Sequence, residues 1–203
     1  AINAWVFTIY EPQDDRFSEH AIRKQYRTAS GTPIFCHMDS MQMSTNNNRW
    51  ASTRKWDWAY DDPLRSGFHH SYADQTYLRL AETYLLLAEA LHLQGKNSEV
   101  DGAAFYINQI RTRSNATPIT ANDVTIDYIL DERARELVTE EHRRHTLVRT
   151  GKLIEMTRKY NRIAAGRRDN VPGIKDFHVL LPIPNRIIET NVGREMEQNY
   201  GYN

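Results

Sequence analysis

Four groups of side chains in this sequence have the chemistry to hold or transform a ligand. Asp131, Glu132, Glu136 and Glu140 could furnish an acid and a base for glycoside hydrolysis, a reaction that needs two carboxyl groups about 5 to 10 Å apart. Each also has an arginine at helical spacing. Asp131 stands four residues before Arg135 and Glu140 four before Arg144, so ion pairing on a solvated helix face accounts for them without catalysis. Glu141, His142 and His145 invite a metal, but an i, i+3 histidine pair is not the HExxH arrangement and no third ligand is identifiable. Solvated histidines near a helix end are the simpler reading. Cys36, His37, Met38, Met41 and Met43 are soft ligands of the kind that suit copper, yet one cysteine among scattered methionines is more often packing. The fourth group is aromatic: Trp50, Trp56, Trp58 and Tyr60 stand among Asn46, Asn47, Asn48, Arg49 and Arg54. Flat ring faces beside amide and guanidinium donors are the makings of a non-covalent binding surface. The alternation of Trp56, Trp58 and Tyr60 also reads as one face of a strand or loop packed on helices, and packing stands ahead of binding.

Sequence signatures of common enzymes are missing. There is no Walker A loop, G-x-S-x-G elbow, paired CxxC or GxGxxG, which disfavours an enzyme and calls for no cofactor. The 26 basic and 26 acidic residues cancel, so no overall field favours nucleic acid or an anionic membrane. The densest apolar window, Leu78 to Leu93, is interrupted by Arg79, Glu82, Glu89 and His92, too polar to span a bilayer. A start at Ala1 without a signal-peptide layout suggests a fragment or a processed form. The single Cys36 can form no internal disulfide and reads as a small buried thiol.

The elements that must position these groups fall into two stretches, with a boundary near Gln75. Residues 1–75 are loop-rich; Trp5 to Tyr10 reads as a strand and Phe17 to Arg27 as a short helix. From Thr76 to Gln94, Leu80, Tyr84, Leu87 and Leu91 recur at helical spacing, widened by Ala81, Leu85 and Ala88, and Gly95 can end the helix. Ser98 to Asp101 can open a second, antiparallel helix carrying Ala103, Ala104, Ile107 and Ile110, with alanines that permit close approach. A third begins near Asp127, with a stripe of Ile126, Ile129, Leu130, Ala134, Leu137 and Val138; a fourth runs from about Thr146, a possible cap, to Tyr160. Gly151 inside it marks either close packing or a break. The prolines of Val171-Pro172-Gly173 and Leu181-Pro182-Ile183-Pro184 force an extended tail. The hairpin from Tyr77 to Arg113 has about the size of one tetratricopeptide repeat, which needs a stacking partner.

Four segments in order carry a resemblance: Tyr77 to Leu91, Tyr106 to Arg113, Ile129 to Leu137 continuing to Leu147 to Lys152, and Leu181-Pro182-Ile183-Pro184 with Gln198-Asn199-Tyr200-Gly201-Tyr202. Together they resemble the C-terminal region of the SusD/RagB family over most of residues 77–202. Two departures stand out. Glu141 to Thr146 lacks the family's glycine, aromatic pair and aspartate, and Tyr200 replaces a proline.

The resemblance implies an all-α fold of tetratricopeptide-like hairpins with a loop-rich N-terminal stretch and an extended tail, residues 76–203 forming the helical domain. It also implies a non-enzymatic, surface-exposed lipoprotein that captures oligosaccharides, or failing those peptides, for a SusC-type TonB-dependent transporter. Its lipid anchor would lie upstream of this chain, and Cys36 is not that anchor. Ligand surfaces in the family use aromatic faces to stack on sugars. That makes Trp50, Trp56, Trp58, Tyr60, Asn48 and Arg54 the candidate ligand-binding set, although no family binding residue maps onto them. Two rivals remain: a general tetratricopeptide adaptor for a peptide, and a helical carbohydrate-active enzyme.

Overall fold

The computed structural model describes residues 2–36, 50–56, 76–161 and 173–202. The chain forms two compact units, Ala1–Glu141 and His142–Asn203; the expected boundary near Gln75 falls outside the described residues. Among those residues are seven α-helices and four short strands, a mostly helical architecture as expected.

The first unit opens with α1 (Ala4–Thr8), where a strand was expected. Asn3 Oδ1 accepts a hydrogen bond from the Trp5 backbone N–H at 3.1 Å, an N-cap that commits the following residues to helix. Ile2, Val6 and Tyr10 then fall four apart and bury with Phe7, Ile22 and Ala51 in one cluster. The β-branched and aromatic composition suggested a strand, whereas the spacing of the buried residues is helical. The expected helix from Phe17 is likewise replaced. A single 3-10 turn, Asp15–Phe17, leads to β1 (Ile22–Arg23) and β2 (Gln25–Arg27). Strand β2 pairs antiparallel with β3 (Pro33–Phe35), and β1 with β4 (Ser52–Thr53) in the register Ile22 to Thr53.

The larger core is built by α2 (Leu80–Leu93), α3 (Ala103–Arg113) and α4 (Ile126–Glu136). Helix α2 ends as its glycine suggests: Gly95 takes φ +74°, and the Gly95 and Lys96 N–H groups bond back to the His92 and Leu91 carbonyls. Its buried apolar face is Ala81, Leu85 and Ala88, with Tyr84 and Leu91 packed against the same core, while Leu80 and Leu87 are exposed. The expected stripe is therefore rotated, because small residues set the closest approach to Ala103, Ala104 and Ile107. Helix α3 begins later than Ser98 suggests: the Ser98 hydroxyl accepts from the Val100 N–H at 3.0 Å in a turn. A β-carbon at Gly102 would lie 2.4 Å from the Ser98 backbone nitrogen, so the chain crosses itself where only glycine fits. Thr125 caps α4 by accepting from Tyr128 N at 3.0 Å.

In the second unit, α5 (Arg143–Arg149) and α6 (Leu153–Tyr160) replace the single fourth helix. Gly151 at φ +70° is the break, and Thr146 is a buried residue inside α5, not its cap. The tail is more ordered than an extended strand of prolines. A 3-10 turn, Asp176–Val179, precedes the short α7 (Asn185–Thr190). The Gln198 side chain accepts from Ile183 N at 2.7 Å and donates to Ile183 O at 2.8 Å, while Tyr202 Oη donates to the Leu180 carbonyl at 2.8 Å. The two terminal motifs thus clamp each other. Gly201, at φ +90°, lets the chain pass a β-carbon's width from the Phe177 ring.

Candidate functional site

Helix α4 carries the charges that the sequence placed on a solvated face, and most of them are buried. Glu132 is fully buried, and Arg133, Arg135 and Glu136 nearly so. The partners are not those of simple i, i+4 pairing. Glu132 accepts from Arg16 at 2.7 Å, Arg111 at 2.9 Å and Arg135 at 2.7 Å. Glu136 accepts from Arg16 at 3.0 Å, Arg79 at 2.5 Å and Arg113 at 2.7 Å. Asp14 grips Arg16 through both oxygens, at 2.9 and 2.8 Å, so a residue of the N-terminal loop is driven into the helical core as a cation.

Burial alone would raise the Glu132 pKa, but Arg135, Arg16 and Arg111 outweigh it and hold the carboxyl at about 2. Glu136 is lowered as well: its burial is overcome by hydrogen bonds from Arg79 and Arg113. A carboxyl held ionised in this way has no proton to give near neutral pH and cannot serve as a general acid. The general-acid role that the sequence left open to Glu132 and Glu136 is therefore not supported by their electrostatic surroundings.

One side of this network opens into a cavity of about 270 Å³. Arg16, Lys55, Arg79, Arg113 and Arg135 line it together with Glu136 and Glu140, and Ala21, Ile22 and Val138 supply the apolar wall. Lys55 Nζ bonds Glu140 Oε1 at 2.7 Å and the Glu136 carbonyl at 2.6 Å. Arg79 bonds Glu140 at 2.5 Å and the Glu136 carbonyl at 2.7 Å. Burial pushes the Lys55 ammonium below its ordinary pKa, with Arg79 adding to the effect against the pull of Glu140.

The candidate aromatics separate. Trp50 is buried at 7% exposure and donates its indole N–H to the Ile2 carbonyl at 2.7 Å; with no open face, it packs as a core residue. Arg54 is exposed and donates to the Glu19 carbonyl at 3.2 Å. Trp56 is half-buried and donates its indole N–H to Thr139 Oγ1 at 2.8 Å. Thr139 sits at φ +66°, a left-handed conformation that is costly for a β-branched residue and persists only where surroundings enforce it. It stands between the cavity residues Val138 and Glu140. Asn48, Trp58 and Tyr60 lie outside the described residues, as do His37 and the methionines 38, 41 and 43. Cys36 is half-buried, and burial raises its pKa, the reverse of an activated thiol. Among the described residues no three His, Cys, Asp or Glu side chains cluster as metal ligands, and no helix is long and apolar enough to cross a membrane. The residues that sequence reasoning missed are Lys55, Arg79 and Arg16. Their signal is indirect, since only their three-dimensional partners on α4 distinguish them from surface charge.

Comparison with known proteins places these features in a family. A model described as the SusD family matches residues 7–202. The chain is 37% identical over 136 residues to the starch-binding protein SusD of Bacteroides thetaiotaomicron, covering 66% of this chain and 23% of that protein. It is 32% identical over 143 residues to a SusD-like protein of Formosa agariphila, covering 66% of this chain and 25% of that one. The chain thus spans about a quarter of the length of these curated relatives. The surface glycan-binding protein A of Bacteroides fluxus shares the fold with a TM-score of 0.56 at 22% identity, over 98% of this chain and 39% of that one.

Proposed function

The chain belongs to the SusD family, and from that membership we propose that it is part of a protein that captures a glycan at the outer bacterial surface without altering it. The observation that carries the reading is the match over residues 7–202 together with 37% identity to a starch-binding protein. Within the first unit, the half-buried Trp56 is the aromatic best placed to stack on a sugar ring. Its indole is anchored through N–H to the strained Thr139, which fixes the ring plane before a ligand arrives. Arg54, exposed two residues away, supplies hydroxyl-directed donors, and Trp58, Tyr60 and Asn48 stay in the candidate set on their side-chain chemistry alone. Trp50 belongs to the scaffold. The captured ligand is an oligosaccharide, with a peptide as the second class, delivered to a SusC-type TonB-dependent transporter by a lipid-anchored surface protein. Arginine-saturated Glu132 and Glu136 favour capture over hydrolysis.

A titration of the chain with a glycan and peptide panel, followed by intrinsic tryptophan fluorescence, tests this reading. At least one glycan is expected to quench saturably, and Trp56→Ala to weaken that response tenfold or more. Losing one stacked aromatic face removes on the order of 1–3 kcal/mol of contact. Equal affinity in a folded Trp56→Ala variant would move the site elsewhere, and a response to peptides alone would replace the glycan by the second ligand class.

A further inference from the structure

The cavity beside Trp56 is rich in donors and short of acceptors, and the geometry points to an anion subsite there: we propose that it receives the carboxylate or sulfate ester of a charged sugar residue. The inference rests on the reading that the chain captures glycans, and it names the class of glycan. Arginine carries five N–H donors and lysine three. Arg79 spends three of its donors on Glu136 and Glu140. Lys55 Nζ spends two. Arg113, 57% exposed at the rim, spends one, on Glu136. The two carboxylates that line the cavity already serve these cations, Glu136 through three bonds and Glu140 through two, so most of the unspent capacity on the wall is cationic N–H. A planar, charged acceptor uses it best, because guanidinium forks bind carboxylate and sulfate-like oxygens in pairs.

Volume and position agree. About 270 Å³ lies below the roughly 300–1,000 Å³ of sites for drug-sized ligands, which suits one sugar residue or its charged substituent and not a long chain. Trp56 follows Lys55 in sequence and bonds Thr139, whose neighbours Val138 and Glu140 line the same cavity. A ring stacked on the indole can therefore direct its acid group at Lys55 and Arg113. The apolar wall of Ile22 and Val138 raises the strength of any charge contact by excluding water.

The test is calorimetric titration of the chain at fixed ionic strength, held with chloride to keep screening constant. The ligands are galacturonic acid, galactose 6-sulfate, neutral galactose and inorganic sulfate. The charged sugars are expected to bind at least tenfold tighter than galactose, with Lys55→Gln and Arg113→Gln each removing about tenfold from the charged sugars only. The ratio of the two charged sugars distinguishes carboxylate from sulfate ester. Should Lys55→Gln fail to fold, Arg113→Gln at the exposed rim still decides the matter. Equal affinity for charged and neutral sugars, or charged-sugar affinity unchanged in Arg113→Gln, overturns the subsite. If neutral sugar still binds and Trp56→Ala abolishes it, the capture reading survives that failure. Binding of inorganic sulfate with no sugar preference keeps the anion site and sinks the glycan reading.

Discussion

Glu132→Gln is expected to lower the stability of the first unit by about 3–5 kcal/mol, the cost of removing one partner from a buried ion cluster. The side chain is fully buried and accepts from Arg16, Arg111 and Arg135. Glutamine preserves the shape but removes the charge and turns one acceptor into a donor facing guanidinium groups. Arg111 and Arg135 are themselves nearly buried; Arg135 would lose its Glu132 carboxylate and Arg111 would keep only the partly exposed Glu11, so buried charge would be left poorly compensated in a weakly screening interior. Since whole domains are stable by only about 5–15 kcal/mol, the urea midpoint should fall by on the order of 1–3 M. A change below about 1 kcal/mol would mean that the charges are solvated after all. Replacing Glu132 together with its arginines by apolar residues of similar volume is a separate matter and should cost far less, because no unpaired charge remains.

Acid should act through the same residue. Glu132 is held at about 2 in the folded chain against an ordinary 4.5, and Glu136 and Glu11 are shifted in the same direction. A depressed folded-state pKa contributes stability that is complete above the unfolded value and is lost as pH falls through the folded one. Stability should therefore hold down to about pH 4.5 and decline towards pH 2. Glu132 alone accounts for on the order of 3 kcal/mol of that loss. Urea midpoints at pH 6, 4.5, 3 and 2 read the effect directly. The slope should flatten in Glu132→Gln, and a wild-type midpoint constant from pH 5 to 2 would contradict the assignment.

The network also explains how far the sequence could be read. Helices α2, α3 and α4 were legible because their apolar residues repeat at the helical period over eleven to fourteen residues. Helix α1 was not, because five residues give composition more weight than period. The acidic and basic residues of α4 were legible as ion-paired, but not as buried. Pairing rules along one helix find Asp131 with Arg135, whereas the deciding partners of Glu132 and Glu136 come from Arg16 and Arg79, more than fifty residues away. The terminal motifs were visible one by one. Their mutual clamp through Gln198 and Tyr202 required the chain to fold back. The aromatic set showed the same limit: Trp50 and Trp56 look alike in sequence, but one donates to a carbonyl within the core and the other holds a half-open position beside a cationic cavity.

The central proposal is that this chain holds a glycan and leaves it unchanged. Equilibrium dialysis of the purified chain against fluorescently labelled oligosaccharides, with the retained sugar then sized by chromatography, tests this most directly. Saturable retention of at least one oligosaccharide at its original length, reduced in Trp56→Ala, is the expected result. Retention of none, or recovery of shortened products that depends on the chain, would contradict it.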